Sequence, residues 1–324
     1  MKKIFIFGLF FVCCLLSGCH QAEEMELVDE NLKMSVVAGI EGSDKLVASR
    51  YGGDDPNSVS FVSDDEIGLS VNDGGFVQWT KDETGDGWSP VGNSVYWNDK
   101  VNRHSFWAFY PYAEGASKGS VPMPDLNEQD GTMDDVSDSD FLIAKKEQTY
   151  GNNGTVTFTG NNAFTHVSSL VSLTIKGGGD LMSATLGTIS ITGENIATNT
   201  TYSFVNDAVT LIGSEINVLE ISPNCTVASD DKTFYFVVNS STVNLSAVVL
   251  SIYYTIGETR YKAEKVGIHS MGDDMFLRGN QYTYTVTIVD NTLKISGHSI
   301  KPWESGTSLG DIVINGEIVG GGQS

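Results

Sequence analysis

In Tyr282-Thr283-Tyr284-Thr285-Val286-Thr287-Ile288 every second residue is large and apolar or aromatic, and every residue between is threonine. Successive side chains of a strand point to opposite faces, so a period of two predicts a half-buried antiparallel strand. Val171, Leu173 and Ile175 against Ser172, Thr174 and Lys176 repeat the pattern. Residues 234–238 and 247–256 are apolar without alternation, which predicts central strands covered on both faces. In the first half, strands are expected at residues 33–40, 59–62, 66–71, 76–80, 94–97, 105–111 and 155–159. Gly-Gly and Asn-Gly pairs recur at short spacing, and almost no stretch carries a helical period. One segment, residues 141–148, reads as a helical turn, after a proline-containing acidic loop over 122–140. The fold class is all-β: two tandem antiparallel β-sandwich domains of transthyretin-like or Greek-key type.

At the N terminus Lys2 and Lys3 precede an apolar run that ends in Leu16-Ser17-Gly18-Cys19. The run is about 13 residues, whereas a helix needs roughly 20 to cross a bilayer, so it reads as a secretory signal. Its end resembles the lipobox of bacterial lipoproteins, in which cleavage before the cysteine leaves a lipidated residue. That resemblance implies a signal peptide at 1–18 and lipidation of Cys19. An acidic leader over 19–32 then spaces the fold from the membrane. The expected domains are 33–160 and 161–303, parted near Gly160-Asn161-Asn162, with a tail at 304–324; the length suits two hydrophobic cores.

The net charge is −22. A balance this acidic disfavours nucleic acid, whose phosphates call for an extended basic surface, and no nucleic-acid partner is expected. Of the four cysteines, Cys13, Cys14 and Cys19 fall in the signal, which leaves Cys225 without an intramolecular disulfide partner.

Nothing points to catalysis or a cofactor. His20, His104, His166, His269 and His298 are far apart, in no metal-binding spacing, and no nucleophile elbow, phosphate loop or dinucleotide fingerprint is present. Asp82-Glu83-Thr84-Gly85-Asp86-Gly87 partly copies a calcium loop. Asn93 stands where the closing glutamate belongs, so a hairpin turn is the better reading and no metal is expected. Asp134, Asp135, Asp138 and Asp140 read as a solvated loop. Four of the five tryptophans lie between Trp79 and Trp107. They are expected in a sandwich core; on the surface they would suit carbohydrate, giving as alternative a glycan-binding lipoprotein of a polysaccharide-uptake system.

The chain resembles the fimbrillin family, the type V pilins of Bacteroidales. The resemblance rests on the lipobox, Phe61-Val62-Ser63-Asp64-Asp65-Glu66-Ile67-Gly68-Leu69, Tyr96-Trp97 with Phe106-Trp107-Ala108-Phe109-Tyr110-Pro111-Tyr112, and Asp140-Phe141-Leu142-Ile143-Ala144. Phe164-Thr165-His166, Leu277-Arg278-Gly279-Asn280-Gln281-Tyr282-Thr283-Tyr284 and Ile300-Lys301-Pro302-Trp303 complete it. It implies a surface fimbrial subunit that serves adhesion, reaches the outer membrane through lipidated Cys19 and polymerises with other fimbrial subunits. In that family a trypsin-like protease cuts after a basic residue following the first strand, and a neighbour's strand fills the vacated groove. Carried over, the strand removed is residues 33–40, the cut follows Arg50 with Lys45 as the second basic candidate, and the donor is the tail, through residues 308–319.

Overall fold

The computed structural model describes residues 32–41, 51–52, 55–213, 218–239, 244–268 and 275–303. Cys19, Arg50, Lys45 and the 304–324 tail lie outside them. The first half holds β1 (Ser35–Ala38), β2 (Tyr51–Gly52), β3 (Asp55–Val59), β4 (Glu66–Val71), β5 (Val77–Lys81) and β6 (Gly87–Pro90). After these come β7 (Arg103–Tyr110), β8 (Val121–Pro122), β9 (Leu142–Thr149), β10 (Thr155–Phe158) and β11 (Thr165–His166). Eight of these strands form one sheet in the order β10-β1-β6-β5-β4-β7-β9-β11. The sheet curls until its ends meet. Lys146 Nζ and Gln148 Nε2 on β9 donate to the carbonyls of Thr157 (2.6 Å) and Thr155 (2.8 Å) on β10, and Ile40 pairs in parallel with Phe164 just before β11.

Alternation explains the filling. On β7, His104, Phe106, Ala108 and Tyr110 are buried, and on β4 so are Ile67 and Leu69. Together with Trp79, Trp88 and Trp97 they line the interior of the curled sheet. Phe109 points the other way and is also fully buried. Its ring lies over Gly68, directly opposite on β4, where a Cβ would come within 2.3 Å of it. Glycine inside this strand marks the close approach of an aromatic ring.

The second half comprises β12 (Ser169–Ile175), β13 (Ala184–Thr192), β14 (Thr200–Ser203), β15 (Ala208–Leu211) and β16 (Val218–Ile221). It continues with β17 (Lys232–Val238), β18 (Val249–Ile256), β19 (Thr259–Val266), β20 (Asn280–Val289) and β21 (Thr292–Pro302). Two four-stranded sheets, β17-β12-β20-β21 and β16-β13-β18-β19, supply the apolar interior. The run that predicted the fold lies in β20, with Tyr282, Tyr284, Val286 and Ile288 all buried. Each half carries one parallel pair, β1 with β10 and β12 with β20. A three-stranded sheet, β15-β14-β8, spans both halves, because β8 pairs with β14. It packs a second apolar cluster, Val121, Tyr202 and Phe204, against Phe109, Phe141 and Ile143.

Four strand and helix expectations fail. Of the strand expected at 59–62 only Val59 is extended, at the end of β3, and residues 60–62 lie in no strand. Residues 142–149 form strand β9, not a helical turn, and the helix precedes them as α1 (Met133–Ser139). Thr132 caps it by accepting from Asp135 N, a helix start written in Thr132-Met133-Asp134-Asp135. Strand β17 lies at a sheet edge rather than its centre. Its outer edge is covered: Gln129 Oε1 accepts from Val237 N (2.6 Å) while Gln129 Nε2 donates to Val237 O (3.1 Å). Residues 94–97 form only an isolated bridge, Tyr96 to Lys33.

Candidate functional site

The first strand is seated as a plug. Met34, Val36, Ala38 and Ile40 are buried to 7% exposure or less, while Lys33, Ser35 and Glu41 between and beyond them are exposed. This period of two turns four apolar side chains into the curled sheet. Both backbone edges are paired. On one side residues 35–38 run parallel to 155–158, reinforced by Ser35 Oγ and Thr155 Oγ1 at 2.8 Å. On the other, Val36 and Val37 pair with Trp88 and Gly87, and Met34 N donates to Val95 O (2.8 Å). The strand's exit is tied by Glu41 N to Phe164 O and Phe164 N to Gly39 O, both 2.9 Å.

Aromatic rings belong to the same buried cluster. Phe61 meets Trp88 and Phe164 edge-on at 5.1 Å each, and Phe164 meets Phe158 at 5.8 Å. Trp97 Nε1 donates to Gly154 O (2.9 Å). Gly154, at φ +83°, has room for no Cβ, which would lie 2.7 Å from Lys33 O. A long slot remains when β1 is subtracted: apolar along its floor, with a strand edge on either side.

Beside it lies a polar junction that no sequence motif announces. Asp140 and His166, both fully buried, are joined at 2.9 Å (Oδ2 to Nδ1). Trp303 stacks flat on the imidazole, centroids 4.0 Å apart and planes 10° from parallel. Arg278 Nε donates to His166 O (3.2 Å), and its guanidinium pairs with Asp207 at 3.1 Å. Asp207 also meets Lys145 at 3.2 Å and accepts from the Tyr202 hydroxyl. That hydrogen bond, with the two cations, holds the Asp207 carboxyl below its usual range, while burial pushes the Tyr202 phenol up. These residues come from the end of α1, β9, β11, β14, the turn after it and the strand ends at 278 and 303, so they tie the halves together where the chain leaves β21.

The other candidates fall to packing. Trp79, Trp88, Trp97 and Trp303 are buried, and Trp107 is partly covered by Lys118, whose Nζ lies 3.9 Å from its ring centroid. The tryptophans therefore present no exposed stacking platform. His104 is buried against Trp97. Cys225 is a partly exposed free thiol beside the core. In the loop after β5 the Lys81 ammonium donates to the carbonyls of Gly85 (2.5 Å) and Asp82 (3.5 Å), so a side-chain cation lies among these loop carbonyls. Among the described residues no group of three or more His, Cys, Asp or Glu could hold a metal ion. Asp135 is half-buried, and its pKa is pushed up to about 6, chiefly by that burial.

A protein-family model described as Fimbrillin-like matches residues 57–303. The chain belongs to the Fimbrillin-like family. Among solved structures the fold is similar to that of a proposed cell adhesion protein from Bacteroides uniformis ATCC 8492. The two share 18% identity at a TM-score of 0.58, over 84% of this chain and 97% of that one. A proposed cell adhesion protein from Bacteroides ovatus ATCC 8483 gives 16% identity, TM-score 0.58 and coverage of 84% and 97%. At such identities the likeness is one of fold. No curated protein matches the chain. Membership of this family makes the chain a fimbrial subunit, a structural rather than catalytic protein that assembles with other fimbrial subunits.

Proposed function

We propose that the subunit is exported as a lipoprotein through Cys19 to the outer membrane, cut after Arg50, and polymerised by donor-strand exchange into an adhesive fimbria. The observation that carries this reading is the seating of β1. Its four buried side chains and two paired edges support the reading, because a strand removed from such a seat would leave an apolar slot and two open edges that another strand can fill. Adding a strand to an open sheet edge satisfies backbone groups and an apolar slot together, which is β-augmentation. The donor is the neighbour's 304–324 tail, where residues 308–319 would extend roughly 40 Å. Cys19 is then a temporary tether, shed together with β1.

An arginine-specific protease supplies the test. Wild-type protein is expected to lose everything up to Arg50 and to form ladders on gels, and Arg50→Ala to remain uncut and monomeric. Cleavage at Arg50 that leaves the product monomeric contradicts the exchange mechanism; assembly of Arg50→Ala contradicts the assigned cut.

A further inference from the structure

Strand β19 is the outer strand of its sheet, and its pairing with β18 sets Tyr253 opposite Lys262 and Thr255 opposite Arg260. Opposed residues share a face, so these side chains form one patch on the outside of the second half. The Arg260 guanidinium carbon lies 4.8 Å from the Tyr253 ring centroid and Lys262 Nζ 5.3 Å from it. With Tyr261 they line a recess of about 430 Å³. Lys262 is fixed by Glu264 at 2.5 Å, and Glu264 in turn accepts from Ser251 Oγ (3.0 Å). Arg260 is exposed, and among the described residues no ion pair engages it. On a chain with 41 acidic and 19 basic residues, an uncompensated guanidinium held over an aromatic ring stands out.

We infer that this recess binds a pyranose bearing a carboxylate or sulfate, one unit of an acidic polysaccharide. Guanidinium presents a planar fork that matches a carboxylate or sulfate through two parallel hydrogen bonds. The tyrosine edge supplies apolar surface for a sugar ring, and Thr255 and Ser251 supply hydroxyl-bearing surroundings. The recess is open and lined by four side chains, so it would hold one unit along an exposed polymer rather than enclose a free ligand. A protein partner would need on the order of 800 Å² on each side, with an apolar centre. This face offers hydroxyls and charges instead, and its large exposed apolar residue, Val266, stands four positions beyond Lys262.

The test is affinity electrophoresis of the full mature chain in gels containing polygalacturonate, heparin, neutral dextran or polyglutamate. Retardation by polygalacturonate or heparin, and not by dextran, is expected, and the stronger of the two names the anion as carboxylate or sulfate. Arg260→Ala should weaken binding at least tenfold. Lys265→Ala changes net charge equally from an exposed position on the other face of β19, and should weaken it less than twofold. Equal losses in the two variants, equal retardation by polyglutamate, or no retardation by either acidic polysaccharide overturns the proposal.

Discussion

Shortening one plug residue should unseat the first strand, and Ile40→Ala is the sharpest case. Ile40 is 3% exposed, at the point where β1 hands over to Phe164. Removing its methyl and methylene groups from a packed site costs roughly 2–5 kcal/mol, lost transfer energy plus the cavity left behind. Val37 on the same strand is only half-buried and faces the other way, so Val37→Ala should cost less than about 1 kcal/mol. Met34 lies six positions from Ile40, about 20 Å along the strand, so the effects of Met34→Ala and Ile40→Ala should add. Together they amount to roughly 4–10 kcal/mol, against about 5–15 kcal/mol for the stability of an entire domain. An emptied slot is therefore not a state in which the first half can persist, and something must refill it.

Urea denaturation followed by tryptophan fluorescence reads this directly, because Trp79, Trp88 and Trp97 are all buried in the first half. At a slope of about 2 kcal/mol per molar urea, Ile40→Ala should lower the midpoint by ~1 M or more, and Val37→Ala by under ~0.5 M. Equal shifts for the two variants would refute the claim that alternate residues of β1 hold the slot.

Three further predictions concern the same frame. His166→Ala removes a buried hydrogen-bond partner of Asp140 and leaves a cavity under the Trp303 ring, a change that costs roughly 2–5 kcal/mol; a thermal-melt loss below about 1 kcal/mol would show the pair to be incidental. Asp135 has a folded pKa near 6, above its unfolded value of 3.8, so its contribution favours folding at low pH and is lost as pH rises through about 4–6. Asp135→Asn should therefore raise the unfolding free energy from urea titration at pH 7, by no more than about 1 kcal/mol after solvent screening, with the gain gone at pH 4; a gain that persists there contradicts the assignment. Gly68→Ala drives a Cβ into the Phe109 ring and should cost about 1–3 kcal/mol. A melting temperature within a degree of wild type would mean that the ring moves aside freely.

Strands were legible where one face is wet. The alternation in 282–288 and 171–175 gave β20 and β12, and 66–71 matched β4 residue for residue. Misreadings arose where another element changes the environment. Residues 234–238 carry no sign of lying at an edge: Phe234, Phe236 and Val238 belong to the core, and Gln129, which closes the strand's outer edge at Val237, lies 108 positions away. The helix was announced by Thr132 three residues before Asp135 but was hidden in a segment rich in aspartate. The Asp140, His166 and Trp303 stack joins residues 26 and 137 positions apart, at no spacing a local pattern could carry. Likewise Tyr253, Arg260 and Lys262 look like ordinary strand residues until pairing lays them on one face. Cores and turns are local signals; junctions and surface sites are products of register.

The central claim is that β1 is a plug to be removed and replaced, and the N-terminal sequence of the subunit recovered from assembled fimbriae tests it most directly. A start at Tyr51, with Cys19 and β1 gone, is the predicted result. A lipid-blocked start at Cys19 in the assembled polymer, with Met34 to Ile40 still present, would contradict it.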